Sequence, residues 1–183
     1  MFDFQNQVLI GTILGGSSLS KPPKGVNYYL SMRSQNEKWL RYKMEEMDRY
    51  YREDSKICTY GNTFRANSPC NEQLTAIYQM LYSKGRRTIT MEILDQLMDI
   101  GIAIWYLDSG GRTGRNKKNA YINVTKFKIK GAKIIEQYFN EVGMACKINR
   151  DGNRLKIVFS VNGTVVLFKT ISHQFPEFMV PGM

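Results

Sequence analysis

The chain is poor in the residues that most catalytic and metal centres use. It has one histidine and three cysteines in 183 residues. With His173 alone, near the C-terminus, a histidine-based triad and a multi-histidine metal site are excluded. Cys58, Cys70 and Cys146 are widely spaced and odd in number, which argues against a disulfide framework and against zinc. They read as ordinary thiols of a reducing, intracellular compartment. Acids are also scarce, with 16 Asp and Glu against 26 Lys and Arg and a net charge of +10. A body this basic points to a polyanionic partner, nucleic acid ahead of an anionic membrane. Long apolar runs are missing. The strongest, from Ile100 to Leu107, is too short to span a bilayer, and Asp3 and Gln5 sit where a signal peptide would begin. Any metal here would be bound by oxygen.

What is present is a repeat. Leu9–Ser17 (LIGTILGGS) lies over Ile102–Gly110 (IAIWYLDSG), 93 positions on. Both are apolar stretches that end in small residues. The same offset places Tyr28 on Tyr121, and after a slip of two Gly61-Asn62 falls on Gly152-Asn153 and Arg65 on Lys156. The expected organisation is two copies of one module, residues 1–96 and 97–183, split near residues 95–98. In the first, Phe4–Gly15 has no interior charge and reads as a buried helix. Residues 19–32 read as a hairpin, 36–51 as a helix with a Trp39, Leu40, Met44, Met47 stripe, 56–67 as a second hairpin and 72–82 as a last helix. The second copy repeats the order, with helices over 93–107, 130–141 and 163–171 and hairpins over 112–125 and 144–160. The expected fold is α+β, two pseudo-symmetric αββαββα modules, each with a four-stranded antiparallel sheet.

Alternate residues of a strand share a face. Asn27, Tyr29, Ser31 and Arg33 are therefore expected on one side of the first hairpin, opposite Val26, Tyr28, Leu30 and Met32. Lys21 and Lys24 precede them. Arg112, Arg115, Lys117, Lys118, Tyr121, Asn123 and Thr125 supply the second module's hairpin, and Arg65 with Asn67 and Arg154 with Lys156 supply the later ones. Arg and Lys suit phosphate or guanine, and Asn suits adenine, in a major groove. The acidic cluster Glu45, Glu46, Asp48 reads as a solvated helix face. Asp108 is the only acid at either repeated helix end.

At these residues the chain resembles the LAGLIDADG homing endonucleases of the single-chain, intron-encoded kind. LIGTILGGSSL and IAIWYLDSGGR carry the resemblance, supported by GRRTI, CKINRDGNRLKIVF and the tail HQFPEFMVPGM. The resemblance implies that the two motif helices pack side by side at a pseudo-twofold axis. The sheets then form a saddle on a long, near-palindromic DNA duplex, which a monomer would bind. It also implies an acid at each motif end that holds Mg²⁺ at a scissile phosphate, with basic residues nearby polarising the water. By motif position those basic residues are Arg87 and Arg154, with Lys156 a further candidate.

The departure lies at the acids. The family's catalytic positions are Gly16 and Ser109 in this chain, and neither side chain can replace a carboxylate on Mg²⁺. Asp108 lies one residue early. Gly15, Gly16, Asp108 and Ser109 are the remaining candidates for a weakened metal site. The expectation is a scaffold impaired in cutting. Natural decay, a change of role and deliberate inactivation are all open explanations. Alternative roles are an RNA maturase that assists a group I intron, or a non-cleaving DNA-binding protein. The deep groove of A-form RNA admits no sheet, which ranks DNA first.

Overall fold

The computed structural model describes residues 2–179; Val180–Met183, the end of the tail that carries part of the resemblance, lie outside it. The first half runs α1 (Phe4–Gly15), β1 (Ser18–Ser20), β2 (Tyr29–Ser34), α2 (Glu37–Glu46), β3 (Ile57–Tyr60), β4 (Thr63–Asn67) and α3 (Glu72–Leu81). A short hairpin, β5 (Tyr82–Ser83) and β6 (Arg86–Arg87), and a one-turn helix, α4 (Met91–Leu94), follow. The second half runs α5 (Asp99–Ser109), β7 (Gly110–Thr113), β8 (Asn119–Asn123), α6 (Lys128–Glu141), β9 (Cys146–Asp151), β10 (Arg154–Phe159) and α7 (Val161–Ile171). Both large sheets are antiparallel and share one strand order, β1-β2-β4-β3 and β7-β8-β10-β9. The fold is the expected α+β pair of αββαββα units.

The two apolar helices form the centre. Eight consecutive residues of α1, Gln7 to Leu14, are buried, as are Ile100 to Tyr106 of α5. A helix apolar on every side has to be covered on every side. Here α1 and α5 cover one another at close range. A β-carbon on Gly11 would collide with the Gly101 carbonyl oxygen, and one on Gly15 with the Asp108 side chain. The apolar face of each sheet joins the same core. Leu19, Leu30, Met32 and Ala66 of the first sheet and Ala120, Ile122, Ile157 and Phe159 of the second are all at most 5% exposed. Burying each large aliphatic among them contributes about 1.5–3 kcal/mol.

Several elements differ from the sequence reading. The helix expected over 93–107 is two helices, α4 and α5, and α5 continues to Ser109. The break has a local cause. Fully buried Gln7 donates to the Gln96 carbonyl at 2.7 Å and accepts from the Met98 amide at 2.9 Å. Its amide takes the backbone groups that an uninterrupted helix would have paired internally. The helix expected over 36–51 stops at Glu46, followed by a one-turn 3-10 helix at Asp48–Tyr50. Strand β2 begins at Tyr29, so Val26 is 79% exposed on a loop and not on the apolar face. The β5–β6 hairpin was not foreseen. No helix among the described residues is long and apolar enough to cross a membrane.

Candidate nucleic-acid interface

The strand register assigns each side chain to a face. In the first sheet Ser31 pairs with Asn67 and Arg33 with Arg65, so these four share one face. Ser18 and Ser20 join them opposite Ser31 and Tyr29, and Cys58 opposite Arg65. Arg65 is held upright over this face by bonds to Ser31 Oγ at 3.3 Å and Asn67 Oδ1 at 3.2 Å. In the second sheet Asn123 pairs with Lys156 and Lys156 with Asn149, and Tyr121 pairs with Val158 and Val158 with Lys147. Arg154, two residues before Lys156, shares their side. The Lys156 ammonium lies 4.7 Å from the centre of the Tyr121 ring. Each sheet thus has one apolar face on the core and one face rich in Arg, Lys, Asn, Ser and Tyr.

Not all the expected side chains gather there. Asn27 precedes β2, and its side chain accepts from Thr75 Oγ1 at 3.1 Å. Lys21 and Lys24 are exposed on the loop before it. Arg112 pairs with Ala120, a core residue, so it points to the helix side of its sheet. There its guanidinium stacks 4.3 Å from the Phe168 ring of α7. Lys117 and Lys118 border the same cleft, and Arg115 is exposed in the one-turn helix beside them. Thr125 follows β8, and its hydroxyl bonds the backbone of Leu155. Conversely, Lys147 and Asn149 reach the polar face although the sequence reading passed over them. Their signal was the alternation Cys146-Lys147-Ile148-Asn149.

Both motif ends open between these faces. One groove is lined by Gly16, Ser18, Ser20, Ser31, Arg33 and Arg65. Its neighbour is lined by Gly15, Asp108, Ser109, Asn123, Thr125 and Arg154. Lys126 borders both. The two ends are finished in different ways.

Helix α1 closes at Gly16, whose φ of 145° is a region that side-chain-bearing residues rarely adopt. Arg87 then caps the helix. It donates to the Ile13 carbonyl at 2.6 Å and to those of Gly16 and Ser17, while its Nε meets Tyr82 Oη at 3.1 Å. The Lys126 ammonium, from the other half, also donates to the Gly16 carbonyl. Two cations thus sit on the negative end of the helix dipole. Partial burial, with Arg87 close by, holds the Lys126 pKa below the ordinary lysine value, against the opposing pull of Asp108.

At the end of α5 the Ser109 hydroxyl folds back onto the Trp105 carbonyl at 3.1 Å. Both carboxylate oxygens of Asp108 lie 2.8 Å from the Lys43 ammonium, and Trp39 Nε1 donates to one of them at 2.6 Å. The Lys43 side chain is 1% exposed and that of Asp108 12%. Lys43 lies in the helix read over 36–51 but outside its Trp39, Leu40, Met44, Met47 stripe. It and Lys126 are the two lysines of this centre that the sequence reading missed. No periodicity marks either, because both act across the two halves.

A divalent cation does not fit this donor set. Gly16 and Ser109 bring no carboxylate, and the one carboxylate present is committed to an ammonium and an indole. The Gly16 carbonyl, a further oxygen donor, already receives two cations. No group of three or more His, Cys, Asp or Glu that could hold a metal occurs among the described residues.

Comparison with known proteins agrees with this architecture. Over most of its length the structure superposes on the homing endonuclease I-WcaI bound to its DNA recognition sequence. The TM-score is 0.86 and identity 18%, covering 96% of this chain and 84% of that one. It also superposes on I-DmoI in complex with DNA and Mn, with a TM-score of 0.61 and 13% identity over 98% of each chain. The N-terminal LAGLIDADG domain of DUF199/WhiA gives 0.61 at 12% identity, over 96% of this chain and 85% of that one. In sequence, 119 residues are 29% identical to Protein RecA of Mycolicibacterium flavescens. The match spans 63% of this chain but only 28% of that protein. The model of the LAGLIDADG DNA endonuclease family matches residues 6–167, and the chain belongs to that family.

Proposed function

We propose that the chain binds duplex DNA sequence-specifically as a monomer and cuts it weakly or not at all. The observation that carries this reading is one juxtaposition. Two basic, alternating strand faces flank helix ends whose acids are replaced at Gly16 and Ser109 and whose remaining acid, Asp108, is neutralised by Lys43. The two modules meet between residues 96 and 97, and each presents one face to a successive major-groove stretch. Arg33, Arg65, Arg154, Lys147 and Lys156 meet phosphates or guanine edges there, and Asn67, Asn123 and Asn149 meet adenine edges. DNA-bound relatives of the same fold support the partner.

In an active member of the family, Mg²⁺ would supply an activated water and stabilise the leaving oxygen. In this chain Arg87 and Lys126 hold the end of α1, and Lys43 and Trp39 hold the carboxylate at the end of α5.

Selection from a randomised duplex library tests the reading, followed by Mg²⁺ on the recovered site. One long site is expected to be enriched and to stay intact with the native chain. It should be cut by the Gly16→Asp, Ser109→Asp variant, which supplies both carboxylates. A native chain that cuts as fast as this variant overturns the impairment. A library with no enriched site overturns specific duplex recognition and leaves structured intron RNA as the ligand to assay.

A further inference from the structure

The misfit between this centre and a divalent cation has a positive side. Resting on the duplex-binding reading, we propose that Lys126 is the phosphate anchor at the centre of the saddle. It takes the role a divalent cation would have, so that this protein grips DNA without metal.

Position is the first support. Lys126 borders the groove over the first sheet and the groove between the helix ends. It also borders a third cleft, of about 880 Å³, lined by Lys84, Arg86, Arg87, Lys128 and Lys130. Among the described residues no acid lines that cleft or the groove over the first sheet, and the only acid in the groove between the helix ends is Asp108. A strand of phosphates crossing the centre would therefore pass Lys126 whichever way it left.

Spare bonding capacity is the second. An ammonium has three donors. Lys126 spends one on the Gly16 carbonyl and remains exposed on its other side. Its neighbours lack that freedom. Arg87 is engaged through Nε and both terminal nitrogens, and Lys43 is buried against Asp108.

Charge is the third. An acid with a divalent cation would carry one net positive charge at this point, and a glycine with an ammonium carries the same. The Lys126 nitrogen stands 3.5 Å from where a side chain on Gly16 would begin. With Arg87 it also covers the carbonyls of Ile13, Gly16 and Ser17, at and just past the end of α1, that would otherwise repel a phosphate.

The test is the affinity of the full chain for the duplex recovered by selection, measured in EDTA and in Ca²⁺ at matched ionic strength. Equal affinities, within about twofold, are expected. Lys126→Met should weaken binding about tenfold, the size of one lost charge-assisted bond. It should also lower the slope of log K against log salt by about 0.9, the signature of one phosphate contact. Lys126→Arg should keep most of both. Thermal unfolding of Lys126→Met shows that the protein measured is folded. Tightening by more than tenfold with Ca²⁺ overturns the proposal, as does an unchanged salt slope in Lys126→Met. Both results leave duplex binding itself intact. Failure to recover any duplex overturns the DNA reading, and this proposal with it.

Discussion

The ends of α1 and α5 occupy equivalent places in two similar modules, yet they are chemically opposite. The first has no acid and two cations on its carbonyls; the second has an acid sealed under a cation and an indole. In both cases a lysine arrives from the other half, Lys126 to α1 and Lys43 to α5. These lysines are not at equivalent positions, since one precedes α6 and the other lies within α2. Backbone symmetry therefore coexists with side-chain asymmetry. The shared frame follows from apolar helices that must be buried. The differing ends follow from single polar residues, each needing whatever partner the opposite half brings within reach.

The sharpest break in this comparison is expected at Lys43. Lys43→Met leaves Asp108 buried without its counter-charge, which costs about 3–5 kcal/mol in urea unfolding. Adding Asp108→Asn should recover most of that loss; a double variant as unstable as the single one would show that the ion pair is not its source. Arg87→Met removes a charged donor from the three carbonyls that end α1, and about 1–3 kcal/mol should be lost. Gly16→Ala places a side chain at φ 145° and should cost about 1–2 kcal/mol. The equivalent Ser109→Ala gives up one hydroxyl bond and should stay within about 0.5 kcal/mol. Equal effects at 16 and 109 would contradict the asymmetry of the two helix ends. The smallest effect is a probe of the second half. Burial, with Glu136 nearby, pushes the Cys146 thiol up to about 12, while Cys58 and Cys70 are exposed. A thiol with a raised pKa keeps its proton at pH 8, so Ellman's reagent should titrate two thiols quickly. Cys146 should follow only at the rate at which its module opens.

Much of the frame was legible from short-range pattern. The bounds Phe4–Gly15 follow from a run without charge that stops at small residues, and both later hairpins turn at Gly61 and Gly152 with positive φ. Alternation assigned Ser31, Arg33, Arg65, Asn67, Asn123 and Lys156 to polar faces. It misplaced Arg112 because a strand one residue out of phase carries its side chains to the other face. It also missed the break before α5, which depends on Gln7, some 90 residues away in the chain. Lys43 looked like one more solvated charge on an amphipathic helix, since nothing local announces an acid on the other module.

The sequence by itself determined the double αββαββα order, the basic strand faces and the absence of a carboxylate at Gly16 and Ser109. These depend on residue type and on periods of two or 3.6, which can be read along the chain. Only the tertiary structure decided that Asp108 is neutralised, that Arg87 caps a helix and that Lys126 stands at the centre. Each of these is a contact between polar groups far apart in sequence, a carboxylate for Lys43 and backbone carbonyls for Arg87 and Lys126, and such partners are set by how the two halves pack.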